Sequence, residues 1–237
     1  LKTRSDEKEL LDLGPAYYSA EEYAHCMKRL FLINRLLGFF KSTVKLLKKF
    51  PQDGSLLDVG CGDGLFLLHL SQYFPQMQFQ GNEISAAGIQ LAREAKKQFL
   101  PASQNVTFEL LTTPELKLPP QSVDIILTTL VCHHLSNQEI IAFIRAALNS
   151  ARRAVIINDL HRHKLAYWSY RLLSPIFRNR LITHDGLISI KRGFVRREWE
   201  AILQAAGVQH YKLTWCFPFR WQLTLTRDRH NLLAFTT

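Results

Sequence analysis

Apolar and polar positions follow two different periods through the middle of the chain. Short apolar, β-rich runs at 55–59, 77–81, 106–111, 123–127 and 155–157 are separated by stretches with helical spacing. Within 65–73, Leu65, Leu68 and residues 70–73 recur near every third or fourth position. Within 86–99, Ile89, Ala92, Ala95 and Phe99 share one face, with Ser85 placed to cap it, and a third helical stretch covers 139–148. Strands alternating with helices predict a parallel sheet covered on both faces.

Two additions flank this pattern. Upstream, Ile33, Leu36, Leu37, Phe40, Val44 and Leu47 form a helical stripe opposite Lys41, Lys45, Lys48 and Lys49, which predicts one amphipathic helix. Downstream of the fifth strand, residues 160–195 intervene before a helix at 197–206 that stops at Gly207. Tyr167, Trp168, Tyr170, Leu172, Leu173, Ile176 and Phe177 make this insertion an apolar, partly helical lid over a hydrophobic substrate, mobile until the substrate arrives. Residues 208–216 and 220–226 predict a hairpin around Pro218. The expected organisation is an N-terminal helical cap over 1–50 and a main domain over 51–237, with the lid inserted at about 160–195.

Length and composition fit a globular protein: 237 residues, 47% apolar and 21% charged, enough for one large core and too apolar for global disorder. The longest apolar runs fall far short of the roughly 20 residues that span a bilayer, and no signal peptide is recognisable at the start. Four cysteines without a CxxC pair read as reduced thiols, which points to a cytoplasmic protein. The net charge of +10 is unevenly held: 28–49 carry +7 and 160–197 carry +8, while 50–159 carry −3. Such local basic surfaces suit an anionic substrate, a peripheral membrane contact or a nucleic-acid backbone, and equally solvate helix faces.

The sharpest motif runs from Leu56 through Asp58, Val59, Gly60, Cys61, Gly62 and Asp63 to Gly64, at the end of a strand and the start of a helix. Glycines there allow a tight turn and close approach of a ligand. The dinucleotide fingerprint fails, because its third glycine position is Leu65. Asp58 just before the turn is unhelpful beside a pyrophosphate and useful beside an α-ammonium group. A second acid, Glu83, follows the next strand, where a carboxylate can accept both hydroxyls of a ribose. An amino-acid end, a ribose and a glycine turn together describe S-adenosylmethionine.

On these residues the chain resembles the class I S-adenosylmethionine-dependent methyltransferases, in the group of small-molecule and quinone methylases, over about 56–226. Gly81-Asn82-Glu83-Ile84-Ser85, the run from Leu118 to Ile126 and Val131-Cys132-His133-His134-Leu135 resemble further family elements. The resemblance implies an α/β, Rossmann-like fold with a seven-stranded, mostly parallel sheet of order 3-2-1-4-5-7-6, strand seven antiparallel. It implies S-adenosylmethionine as cofactor, contacted by Asp58, Gly60, Cys61 and Gly62, with Glu83 on the ribose and Ile84 on the adenine. Thr112 and Thr113 stand where the family often has an adenine-binding Asp. Thr129 and Leu130 after strand four, and Tyr18 folding over from the N-terminal segment, complete the expected contacts.

Methyl transfer to a phenol is helped by a base that titrates near neutrality, which makes histidine the natural candidate. His133 and His134 follow strand four, and His161 follows strand five with Asp159, which is placed to hold a histidine, His161 in particular, in one tautomer. These four are the expected catalytic residues. No metal is expected: Asp159, His161 and His163 lack a fourth ligand, and Thr128-Thr129-Leu130 stands where catechol methylases carry an acid. The expected partner is a small, lipophilic, aromatic or anionic acceptor, with O-methylation favoured. An RNA- or protein-directed methylase using the basic surface is the alternative, and a non-catalytic scaffold that binds S-adenosylmethionine is another. Nucleic-acid bases fit less well, since no [DNS]-P-P-[FYW] motif follows strand four. The oligomeric state is not legible in the sequence.

Overall fold

The computed structural model describes residues 1–99 and 103–228; of the expected main domain over 51–237, residues 100–102 and 229–237 lie outside the described residues. Seven strands, β1 (Ser55–Val59), β2 (Gln78–Glu83), β3 (Val106–Leu110), β4 (Val123–Thr129), β5 (Ala151–Leu160), β6 (His210–Cys216) and β7 (Arg220–Thr226), form one sheet in the order β3-β2-β1-β4-β5-β7-β6. Neighbours pair in parallel, except that β7 runs antiparallel to both β5 and β6. The topology is the Rossmann-like arrangement expected above.

Side chains alternate across the central strands and so fill two separate cores. Ile125 and Ile156 face a cluster with Leu47, Leu67, Leu70 and Phe79. Their sequence neighbours Ile126, Val155 and Ile157 face another with Ile144, Trp199, Leu203 and Leu223. The helices α2 (Phe39–Leu47), α3 (Leu65–Ser71) and α4 (Ala86–Phe99) lie with the first, and α5 (Asn137–Ser150) and α8 (Arg196–Ala206) with the second. Ser136 and Glu139 form a reciprocal capping box at the start of α5, and Gly207 (φ +81°) ends α8.

The N-terminal stripe does not form one helix. Gly38 (φ +72°) breaks it into α1 (Ala20–Leu36) and α2. Phe40, Val44 and Leu47 go into the sheet core, whereas Leu36 and Leu37, on the same stripe by helical counting, are exposed. The insertion after β5 folds into α6 (Lys164–Leu173), a 3-10 turn (Ser174–Phe177) and α7 (Arg180–Arg192). Leu181 and Ile182 of α7 bury with Cys26 of α1 in a third small cluster, which Tyr170 and Phe177 join. Before α1, the backbone N–H groups of Leu10 and Leu11 donate to the Asp185 carboxylate of α7.

Candidate functional site

The carboxyl ends of β1 and β2 build a glycine turn whose N–H groups are already engaged. Gly60 and Cys61 both donate to the Asn82 carbonyl at 2.9 and 3.0 Å. Gly62 donates to Glu83 Oε2 at 3.0 Å, and Gly64 to the Cys61 carbonyl. A phosphate cradle needs free N–H groups, so this turn is not one. Gly60 and Gly62 lie at φ +75° and +56°, and a Cβ on Gly60 would sit 2.6 Å from Val131 Cγ2. Only glycine fits there.

What the turn offers is acceptor oxygen. Asp58 is buried, and its Oδ1 has no hydrogen-bond partner among the described residues; the Asn82 side-chain oxygen is likewise unpaired. Burial, then the nearby Glu83 carboxylate, push the Asp58 carboxyl up to about 8. A buried acceptor without a donor costs about 1–3 kcal/mol, and a donor bearing positive charge would relieve both faults. Glu83 also accepts from the N–H groups of Ile84 (2.8 Å) and Ser85 (2.9 Å) through Oε1, which fixes its carboxylate at the rim of the turn.

Helix α1 closes the turn from above. Met27 lies against Gly62, its Cε 2.8 Å from where a Cβ would stand, and Tyr23, one turn earlier, hydrogen-bonds Ser85. Tyr18 stacks on Tyr23 at 5.6 Å. Sequence reasoning named Tyr18 and missed Tyr23 and Met27, although their i, i+4 spacing puts them on one face. Ile84 is exposed beside Glu83, and Thr112 and Thr113 are exposed on the loop after β3. Thr129 Oγ1 accepts from Asn158 Nδ2 at 3.3 Å. Leu130, held at φ +59°, donates its N–H to the Asn158 carbonyl.

The histidines are arranged differently from expectation. Asp159 partners His133 and not His161: its Oδ1 lies 2.8 Å from His133 Nδ1, and its Oδ2 accepts the His133 N–H. The correction has a geometric cause, because the 3-10 turn Cys132–His134 folds back over the end of β5, whereas the chain after Asp159 carries His161 past it. Burial pushes the Asp159 carboxyl up, but His133 and the Leu160 N–H outweigh it and hold it below the ordinary value. The other His133 nitrogen lies 3.6 Å from Glu9 Oε1, and the ring is only 3% exposed. His134 Nδ1 meets Asp12 Oδ1 at 2.7 Å, and Asp12 also accepts from Arg192 at 2.6 Å. Arg192 and Arg4 donate to the carbonyls of this 3-10 turn and fix it in place. Glu9 and the nitrogens of His133 and His134 lie within 4.8 Å of one another, and both imidazoles face carboxylates. Nothing in the sequence signals that Arg4, Glu9 and Asp12 return to this point.

His161 sits among aromatic rings instead. Its Nδ1 accepts from Trp215 Nε1 at 3.1 Å, its ring meets Trp221 edge-on at 5.0 Å, and His163 stacks on Phe219 at 5.1 Å. An indole N–H can only donate, so the neutral His161 carries its proton on Nε2. Burial, His163 and Arg162 lower its pKa, which keeps the ring neutral. Arg220, opposite Leu160 in the β5–β7 pair, was not foreseen. Among the described residues its guanidinium makes two long bonds, 3.2 Å to Asn34 and 3.4 Å to the Phe219 carbonyl, and its buried Nε has no partner. Desolvation, only partly offset by the Asp159 carboxylate, brings its pKa down to about 10.

Residues 56–154 match the family model described as a methyltransferase domain. Among solved structures, the chain is similar to a SAM-dependent methyltransferase from Aquifex aeolicus, at 20% identity and TM-score 0.63, covering 88% of this chain and 98% of that one. It is also similar to magnesium protoporphyrin IX methyltransferase from Synechocystis PCC 6803 with bound SAH, at 18% identity and TM-score 0.55, covering 80% and 82%. Human N-acetylserotonin methyltransferase in complex with SAM matches at 14% identity and TM-score 0.62, covering 90% of this chain and 58% of that one. No curated protein sequence matches the chain.

Proposed function

We propose that the chain, whose residues 56–154 match a methyltransferase domain, is a class I S-adenosylmethionine-dependent methyltransferase that methylates an oxygen of a small, lipophilic or aromatic acceptor. The observation that carries the cofactor assignment to particular residues is the unpaired, buried Asp58 carboxyl beneath a turn whose N–H groups are engaged. In this reading Asp58 and the Gly60–Gly62 backbone receive the α-ammonium end, Glu83 holds the ribose and Ile84 flanks the adenine. Tyr18 stands behind Tyr23, which with Met27 covers the turn. Thr112 and Thr113 border the adenine end, and Thr129 and Leu130 border the methyl end.

When bound, the cofactor would supply an electrophilic methyl group with its sulfur as leaving group, and transfer to an acceptor oxygen would require that oxygen to be held in line at about 3–3.5 Å. The protein's task is to place that oxygen and manage its proton. The wall of His161, His163, Trp215, Phe219 and Trp221 suits a flat aromatic acceptor. In the tautomer that Trp215 selects, His161 donates from Nε2 to the acceptor oxygen. Arg220 offers a half-buried positive charge that favours an acceptor bearing negative charge, such as a phenolate. His133 has the form of a base: Asp159 takes Nδ1–H, which leaves the lone pair on Nε2. That nitrogen faces Glu9, so it serves as the base when the segment carrying Glu9 moves aside. His134, tied to Asp12, supports the same 3-10 turn. Two structural neighbours are named for N-acetylserotonin and magnesium protoporphyrin IX, both aromatic ring systems, which favours this acceptor class.

Transfer of labelled methyl from S-adenosylmethionine to a panel of phenols of graded lipophilicity tests the reading. With the acceptor it identifies, His133→Gln is expected to lower turnover about 10²–10⁴-fold with cofactor affinity intact and to remove the acidic limb of the pH profile. His161→Gln is expected to raise the acceptor KM and leave that limb in place. Wild-type turnover and an unchanged limb in both variants would show that neither histidine handles the proton. Transfer to nitrogen or carbon acceptors alone would refute O-methylation.

A further inference from the structure

Five of the large apolar side chains exposed to solvent fall within twelve residues of one another. Leu165, Trp168 and Leu172 recur at helical spacing along the outer face of α6; Leu173 borders them, and Ile176 continues the line into the 3-10 turn. Leu172 is 79% and Ile176 74% exposed. The opposite side of α6 buries Ala166 and turns Tyr170 inward to the Ile182 carbonyl. An apolar stripe of this size is not needed to hold the helix in place, and contiguous exposed apolar surface marks an interaction face.

The charge around the stripe indicates what covers it. From residue 160 to residue 184 there is no Asp or Glu. Arg162 is engaged by Glu198 and Arg180 by Glu22, but Lys164, Arg171 and Arg178 form no ion pair among the described residues, and Arg171 lies over the Trp168 ring at 5.3 Å. Leu30 and Ile33 of α1 share a cluster with Tyr170 and Phe177, and the end of that helix adds exposed Leu36 and Leu37 beside Arg35. A short helix with Trp and Leu outward, unpaired cations at its flanks and no acid among them has the pattern of a segment lying in a membrane interface. A second protein copy would bring its own Lys and Arg against these cations, whereas a surface rich in anionic headgroups meets them with the opposite sign.

We propose that the outer face of α6 and of the turn after it docks this protein on an anionic lipid bilayer. Leu165, Trp168, Leu172 and Ile176 enter the acyl boundary, and Lys164, Arg171 and Arg178 meet the headgroups. Because α6 follows directly on His161 and His163, docking sets the mouth of the acceptor site against the lipid, and a lipophilic acceptor enters from the bilayer without crossing water. That last step rests on the acceptor class proposed above; the docking itself does not.

Sedimentation of the full chain with phosphatidylcholine vesicles, with and without phosphatidylglycerol, tests this. Binding is expected to the mixed vesicles, to weaken with added salt, and to shift Trp emission to the blue unless Trp168→Phe is present. The double variant Leu172→Glu, Ile176→Glu should abolish sedimentation. Lys164→Gln and Arg171→Gln should each weaken it about fivefold. Binding of S-adenosylhomocysteine, measured by calorimetry, should be unchanged in every variant, which separates failure of this face from failure of the cofactor site. Absence of binding to mixed vesicles, or equal binding by the double Glu variant, overturns the proposal. A dimer that dissociates in the double Glu variant, without vesicle binding, assigns the face to a second copy and overturns it too.

Discussion

The buried Asp58 carboxyl and the half-buried Arg220 guanidinium both lack an ion-pair partner among the described residues, and both deficits are testable. With its carboxyl at about 8, Asp58 is largely protonated in the free protein at neutral pH. An ammonium ligand requires the carboxylate. Cofactor affinity is therefore expected to rise with pH up to about 8 and then level off, with a proton released on binding at pH below that. The same raised value makes the folded state hold a proton that the unfolded chain gives up near about 3.9. This group's contribution to the stability of the free protein therefore falls as pH rises between those values. Asp58→Asn should flatten the pH dependence of affinity, as read by calorimetry in buffers of different ionisation enthalpy; a slope that persists would place the proton elsewhere. Glu83→Ala should weaken cofactor binding by about 1–3 kcal/mol, and an unchanged dissociation constant in the folded variant would remove it from the site. Arg220→Met should raise the melting temperature of the free protein, since an apolar side chain carries no desolvation cost, while weakening anionic acceptors.

At the level of elements, the glycine turn and the insertion carry opposite mechanical demands. Gly60 combines a left-handed backbone with contact against Val131, so Gly60→Ala is expected to cost about 1–2 kcal/mol from the backbone alone, and more from the displaced valine. Chemical denaturation and cofactor titration of the variant should both register it; a stability equal to that of the parent protein would mean the turn relaxes freely. The insertion is not uniform. Helix α7 is fastened by Asp185 to Leu10 and Leu11 and by Arg192 to Asp12 and to the His133 and His134 carbonyls. Helix α6 buries only Ala166 fully. Hydrogen exchange should accordingly find the mobile part of the lid in α6 and the following 3-10 turn, slowing there when cofactor and acceptor bind, with α7 protected throughout. Equal protection in both helices before and after ligand would argue against any lid.

Across the whole molecule, acid stability depends on carboxylates that tie distant segments together. Asp124 joins β4 to β1 through Ser55 and reaches Arg152 and Arg153 of β5. Burial alone would raise its carboxyl, but these bonds outweigh it and bring it down to about 2. Asp12 behaves alike, burial being outweighed by His134 and Arg192, also at about 2. A carboxylate lowered in the folded state gives stability that is present above the unfolded value near about 3.9 and is lost as pH falls through the folded one. The melting temperature should drop between about pH 4 and pH 2, and Asp124→Asn should make that drop shallower while lowering the starting value. A drop of the same depth in the variant would assign acid lability to other groups.

The sequence alone determined what depends on neighbours within a turn or a strand. The short apolar run at 123–127 and the glycines at 60, 62 and 64 are local signals, because the backbone conformations they favour do not wait for the rest of the chain. The failed dinucleotide fingerprint at Leu65 and the placement of Asp58 and Glu83 were legible for the same reason. The order of the strands came only with the family resemblance, since no local signal specifies which strands pair. Tertiary structure decided whatever needed residues far apart in the chain to meet. It broke the apolar stripe at Gly38, because Phe40 and Leu47 have a sheet to cover while Leu36 and Leu37 do not. It brought Glu9 and Asp12 to His133 and His134, and gave Asp159 to His133. It set Trp215 beside His161 and so fixed the proton on that ring. Hydrogen-bond partners, burial and tautomer are properties of these long-range meetings, which no local pattern in the sequence specifies.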